Sequence, residues 1–61
     1  MGGFFKRGEI VTIGKNPKRW CIDVLREQVD GAGEVYVMAE LSDERDKKTF
    51  AETSQLTKVG G

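Results

Sequence analysis

Histidine is absent from this 61-residue chain, and cysteine occurs once, at Cys21. An intramolecular disulfide is therefore impossible, and neither a thiolate–imidazole pair nor a His/Cys zinc site can be built. Serine triads and cysteine–histidine nucleophiles are excluded with them. Proline also occurs once, at Pro17, and no apolar run approaches the roughly 18 residues of a membrane span. No apolar stretch near the N-terminus resembles a secretion signal, and Met1-Gly2-Gly3-Phe4-Phe5-Lys6 lacks the Ser or Thr that myristoylation wants at its sixth position. These absences predict a cytoplasmic protein that is not an enzyme, holds no cofactor or metal and keeps off the membrane.

What is present is a folded composition. Hydrophobic residues make up 38% and charged residues 33%, which suits a packed domain rather than a disordered one. A chain this short buries only about 60% of the surface it exposes when unfolded, so its stability must come from packing or from self-association. A homo-oligomer therefore stays open. Formal net charge is zero but unevenly placed. Residues 1–26 carry Lys6, Arg7, Lys15, Lys18, Arg19 and Arg26 against Glu9 and Asp23, a net +4; residues 27–61 carry a net −4. Such asymmetry steers a polyanion to one side or favours head-to-tail association, although scattered surface charge is the ordinary case.

Glycines and turn residues divide residues 5–59 into short pieces, with residues 1–4 and 60–61 expected to be flexible ends. Glu9 to Ile13 reads as a first strand closed by Gly14, and a loop containing Lys15, Pro17, Lys18 and Arg19 follows. Trp20 to Glu27 reads as a second strand with Trp20, Ile22 and Val24 on one face, and Asp30-Gly31-Ala32-Gly33 as a hairpin turn. Glu34 to Leu41 alternates most clearly: Val35, Val37, Ala39 and Leu41 share one face, Tyr36, Met38 and Glu40 the other. After the polar run Ser42 to Lys47 come a short strand Lys48 to Ala51, a single helical turn Thr53 to Leu56 and a closing strand Thr57 to Val59. The expected core is Val11, Ile13, Trp20, Ile22, Val24, Val35, Val37, Ala39, Leu41, Phe50, Leu56 and Val59. The fold class that follows is all-β, one five-stranded barrel with a one-turn helix before the last strand, because closure removes the sheet edges that a small open sheet exposes.

A second reading exists for residues 17–29. Asn16-Pro17 fits an N-cap followed by proline at the first helical position, and Trp20, Val24, Leu25 and Val29 would line one helix face. That reading leads to an α+β β-grasp fold. β-Branched Ile22 and Val24 and the strong partner strand beyond the glycine turn favour the extended form.

Phe5-Lys6-Arg7-Gly8-Glu9-Ile10-Val11 resembles the F-x-x-G-D/E-x-V entry of SH3-like barrels of the Tudor and KOW kind. The Trp20–Glu27 and Glu34–Leu41 pairing resembles their central hairpin, and Ser-Gln-Leu-Thr-Lys-Val at the end resembles their one-turn helix and last strand. The chain is also similar to short uncharacterised proteins of actinobacteria and their phages, which implies a phage or bacterial accessory role. Nothing matches the A-L-Y-D-Y strand of peptide-binding SH3 domains, so proline-rich ligands are not implied. Phe4, Phe5, Trp20, Tyr36 and Phe50 mostly have core roles available, which leaves no methyl-lysine cage. Type II dihydrofolate reductase is a small barrel of this kind, but its V-Q-I-Y strand has no counterpart in Lys48-Thr49-Phe50-Ala51.

Three candidate sites remain. Tyr36 and Met38 put an aromatic and a polarizable thioether on the outward face of the clearest strand, a contact suited to a protein partner. Lys15, Lys18, Arg19 and Trp20 put cations beside an aromatic, as nucleic-acid-binding barrels do; zero net charge stands against it and Trp20 is equally suited to the core. Lys58-Val59-Gly60-Gly61 ends as ubiquitin-like carriers do, a poorly specific signal. The expectation is a small non-enzymatic module that binds a protein through Tyr36 and Met38, with nucleic acid as the second choice and a Gly-Gly carrier third.

Overall fold

A computed structural model describes residues 5–59; the expected flexible ends, Phe4 and the Gly60-Gly61 pair lie outside the described residues. Five strands follow in order: β1 (Ile10–Ile13), β2 (Asn16–Val29), β3 (Val35–Ser42), β4 (Lys48–Glu52) and, after a 3-10 turn over Thr53–Gln55, β5 (Leu56–Lys58). All neighbours are antiparallel, in the sheet order β4-β3-β2-β1-β5. Residues 17–29 are extended throughout, so the helical reading and the β-grasp fold that depended on it fall.

β4 and β5 occupy opposite edges of this sheet, yet only the 3-10 turn separates them along the chain. In a flat sheet the two edges would stand about 19 Å apart. The backbone from Glu52 to Leu56 reaches at most about 14 Å even when fully extended. The sheet must therefore curl, wrapping one face around a core. No ladder joins β4 to β5 among the described residues, so the curl stops short of a closed ring.

Curling is helped by an irregularity in β2. Ile22 pairs with Leu41 and Val24 with Glu40, which leaves Asp23 as an extra residue. Such a bulge bends a strand and increases its twist. It also resets the alternation. Trp20 and Ile22 face inward before the bulge, but after it Leu25, opposite Ala39, takes the inward place and Val24 turns outward with Glu40. Val24 is therefore not a core residue of the kind strict alternation predicts.

The core consists of Val11, Trp20, Ile22, Ala39, Leu41, Ala51 and Leu56, with Phe5, Ile13 and Leu25 packed against it. Four further core expectations need correction. Phe50 pairs with Glu40 and shares its outward face at 65% exposure, while its neighbour Ala51 pairs with Ala39 and fills the core. Val35, 64% exposed, pairs with Val29 at the far end of the β2–β3 hairpin, past the point where β4 ends its pairing with β3 at Met38. Val37 and Val59 are only half-buried. Inward-facing side chains on an overhanging hairpin have no third layer to cover them.

The loop expected over residues 14–19 is shorter than its composition implies. Gly14 and Lys15 make the turn, Gly14 at φ 54, and Ile13 already pairs with Asn16. Pro17 sits inside β2, where the β3 side has no partner before Cys21 meets Ser42. A missing N–H costs no ladder bond on an unpaired edge.

Candidate functional site

The outer face of β2, β3 and β4 is built in rows that the register defines. One row runs Val24–Glu40–Phe50, the next Arg26–Met38–Glu52, and the third Gln28–Tyr36. Directly opposed side chains in such rows stand about 5 Å apart, and diagonal neighbours remain within reach of long or aromatic groups. Tyr36, Met38 and Val24 are half-buried, and Phe50 projects furthest. The result is a face on which Val24, Met38, Tyr36 and Phe50 alternate with the charged side chains of Arg26, Glu40, Lys48 and Glu52. Tyr36 and Met38 share this face as their alternation predicts. Phe50 was missed, although its flanks carried a signal: Lys48 and Glu52 share its face at two-residue spacing, and that pattern belongs to solvent.

The basic candidate is arranged differently. Trp20 is only 9% exposed. The Lys18 ammonium stands 4.5 Å above its ring centre and 2.9 Å from the Asp43 carboxylate, so Lys18 closes over Trp20 and ties β2 to the β3–β4 loop. Asp43 is 5% exposed at its side chain, and its carboxyl is held at about 2, below the ordinary 3.8. The hydrogen bond from Lys18 is the first cause; the backbone N–H of Lys47 is the next, and burial opposes both. Lys15 lies exposed in the turn before β2. Arg19 lines two adjoining open cavities of about 430 and 450 Å³, whose far wall is Asp43 and Glu44. The structure thus brings Lys18, Arg19 and Trp20 together, with Lys18 engaged and Trp20 covered.

A similar clamp holds the other edge. Lys58 stands 3.4 Å from Glu9 and 5.5 Å from the ring centre of Phe5. Glu9 is held below its usual carboxylate value, first because the Lys6 backbone N–H donates to it at 2.8 Å and further because Lys58 is near. Among the described residues no three acidic or cysteine side chains converge to hold a metal, and no helix is long and apolar enough to cross a membrane. Of the Lys58-Val59-Gly60-Gly61 tail, only Lys58 and Val59 fall within the described residues, and Lys58 belongs to β5. No family model, curated protein or solved structure matches the chain.

Proposed function

We propose that this chain is a non-enzymatic binding module, built as an SH3-like barrel, that docks a protein on the outer face of β2, β3 and β4. The observation that carries the reading is Phe50, 65% exposed, diagonal to half-buried Met38 in the next row of the same face, with half-buried Tyr36 one row further on. A protruding aromatic diagonal to a thioether, with a phenol further along the same face and charges of both signs among them, matches the anatomy of protein-binding hot spots. The partner it fits offers an apolar pocket for Phe50 with a mixed-charge border.

Nucleic-acid binding through Lys15, Lys18, Arg19 and Trp20 is the weaker reading. An ammonium already paired with Asp43 releases few counterions on meeting phosphate, and a covered indole offers no stacking surface. The two readings separate by affinity capture and a shift assay. The protein-binding reading expects a partner retained by the native chain and lost from Tyr36→Ala and Met38→Asp, each with an unchanged thermal melt. Equal recovery from native and variant chains removes the outer face from consideration, and a salt-sensitive shift of DNA or RNA at about 50 mM salt would install the basic site instead.

A further inference from the structure

β4 is an edge strand, and its sequence is its own complement. Lys48-Thr49-Phe50-Ala51-Glu52 pairs with β3 in unbroken register, Met38 with Glu52 through Ser42 with Lys48, and among the described residues no strand lies on its other side. No backbone hydrogen bond from residues 48–52 to any element besides β3 occurs among the described residues. Natural sheets blunt such an edge with proline, a bulge, extreme shortness or charged side chains such as lysine, and of these β4 carries only its terminal charges, Lys48 and Glu52. β5 at the opposite edge is three residues long. β4 is longer and regular, and contains neither proline nor bulge.

We infer that β4 pairs antiparallel with β4 of a second copy about a two-fold axis through Phe50, joining two sheets into one. In that register residue 50 meets residue 50, and each residue before it meets its mirror position after it. Lys48 then faces Glu52 of the second copy, Glu52 faces its Lys48, and Thr49 faces Ala51. The two Phe50 rings oppose each other on the outer face. Both charge contacts are attractive and occur twice by symmetry, which is the self-complementarity an isologous interface demands. Glu52 belongs to none of the ion pairs among the described residues, and the Lys48 ammonium, 53% exposed, meets Asp23 only at 3.5 Å. The chain's zero net charge opposes no such association.

Register alternatives are less favourable. A slip by two residues opposes Phe50 to Lys48 or Glu52 and breaks both Lys48–Glu52 contacts. A parallel arrangement would set Lys48 near Lys48 and Glu52 near Glu52. Charge placement thus selects the antiparallel, Phe50-centred pairing over its neighbours. A five-residue edge buries little area, so the dimer is weak and depends on concentration.

Sedimentation equilibrium of the native chain up to about 1 mM tests it, alongside Lys48→Glu, Glu52→Lys and their equimolar mixture. In each single variant the copies meet with like charges at both contacts, and the dissociation constant should rise on the order of tenfold or more. Their mixture restores both attractive contacts and should form a mixed dimer at the native affinity. Thermal melts confirm that each variant is folded. A native chain that stays monomeric at the highest concentration overturns the inference, as does a dimer indifferent to these charges. Either failure leaves the Tyr36 and Met38 docking face standing, because Tyr36 and Met38 lie on β3, outside the edge, and are read by a different partner.

Discussion

Asp30 and Asp43 hold the two hairpin loops on either side of β3 by the same set of hydrogen bonds. Asp30 Oδ1 accepts from the backbone N–H of Ala32 at 2.8 Å and of Glu34 at 2.9 Å; Asp43 Oδ1 accepts from Arg45 at 2.9 Å and Lys47 at 2.8 Å. In both loops the first residue's N–H donates to the carbonyl of the fifth, and the fourth residue's N–H donates back to the first. The fourth position is left-handed in each: Gly33 at φ 82 in one, Asp46 at φ 66 in the other. One geometry is thus built from Asp-Gly-Ala-Gly-Glu and again from Asp-Glu-Arg-Asp-Lys. Only the first supplies the residue that the fourth position favours.

Asp46→Gly should therefore stabilise the protein by up to about 1 kcal/mol, with a rise of several degrees in melting temperature for a domain of this size. Gly33→Ala, at the matching position, should destabilise by about 1 kcal/mol, although a Cβ there meets nothing within 4 Å. The cost is torsional rather than steric. Differential scanning fluorimetry on the two variants decides it; a lower melting temperature for Asp46→Gly would contradict the equivalence of the loops.

Stability should fall in acid through Asp43. Its folded carboxyl sits at about 2 against an ordinary 3.8, so the folded state favours the ionised form. The contribution is fully present above about pH 4 and disappears as pH drops from about 4 to 2. Asp43→Asn keeps an oxygen for the Arg45 and Lys47 N–H groups but cannot ionise. Melting temperatures recorded from pH 6 to pH 2 should therefore separate the native chain from Asp43→Asn at the top of the range and converge at the bottom. Parallel curves would mean that the Lys18–Asp43 pair adds nothing that protonation can remove.

Core and outer face should respond oppositely to truncation. Leu41 is fully buried opposite Ile22, and Leu41→Ala should cost about 2–5 kcal/mol, enough to unfold a domain whose total stability is on the order of 3–5 kcal/mol. Phe50→Ser removes a larger side chain but should change stability by only about 0.5 kcal/mol, because the ring is mostly in water. Urea titration followed by Trp20 fluorescence measures both. A Phe50→Ser cost comparable to that of Leu41→Ala would return Phe50 to the core.

Hydrogen exchange should distinguish the hairpin end from its base. Backbone amides around the Ile22–Leu41 pair lie over the core, while Val29 and Val35 pair beyond the reach of β4 and are about two-thirds exposed. Exchange at the Asp30 amide, which donates to the Glu34 carbonyl at that end, should be at least about tenfold faster than at the Ile22 amide, which donates to the Glu9 carbonyl, equivalent to about 1.4 kcal/mol less opening free energy. Uniform protection along β2 and β3 would show that the hairpin opens only with the whole domain.

Sequence alone determined how many strands there are and roughly where they lie, though not that β2 runs from Asn16 to Val29. Val35 to Leu41 alternates at a period of two, Ile22 and Val24 are stiff at Cβ, and glycine and aspartate mark the two turns flanking β3; these are local properties that no distant contact needs to supply. Tyr36 and Met38 were legible as outward residues for the same reason. Tertiary structure alone decided the rest. The bulge at Asp23 exchanged Val24 for Leu25 on the inner face, since register between two strands is a property of the pair. The register of β4 against β3 sent Phe50 outward and Ala51 inward, and the limited length of β4 left Val35 uncovered. Sequence offered Lys18 only as a second-choice phosphate contact; that its ammonium meets Asp43, 2.9 Å away in space but distant in the chain, only the fold shows. Periodicity states which residues share a face; only the meeting of strands states what that face meets.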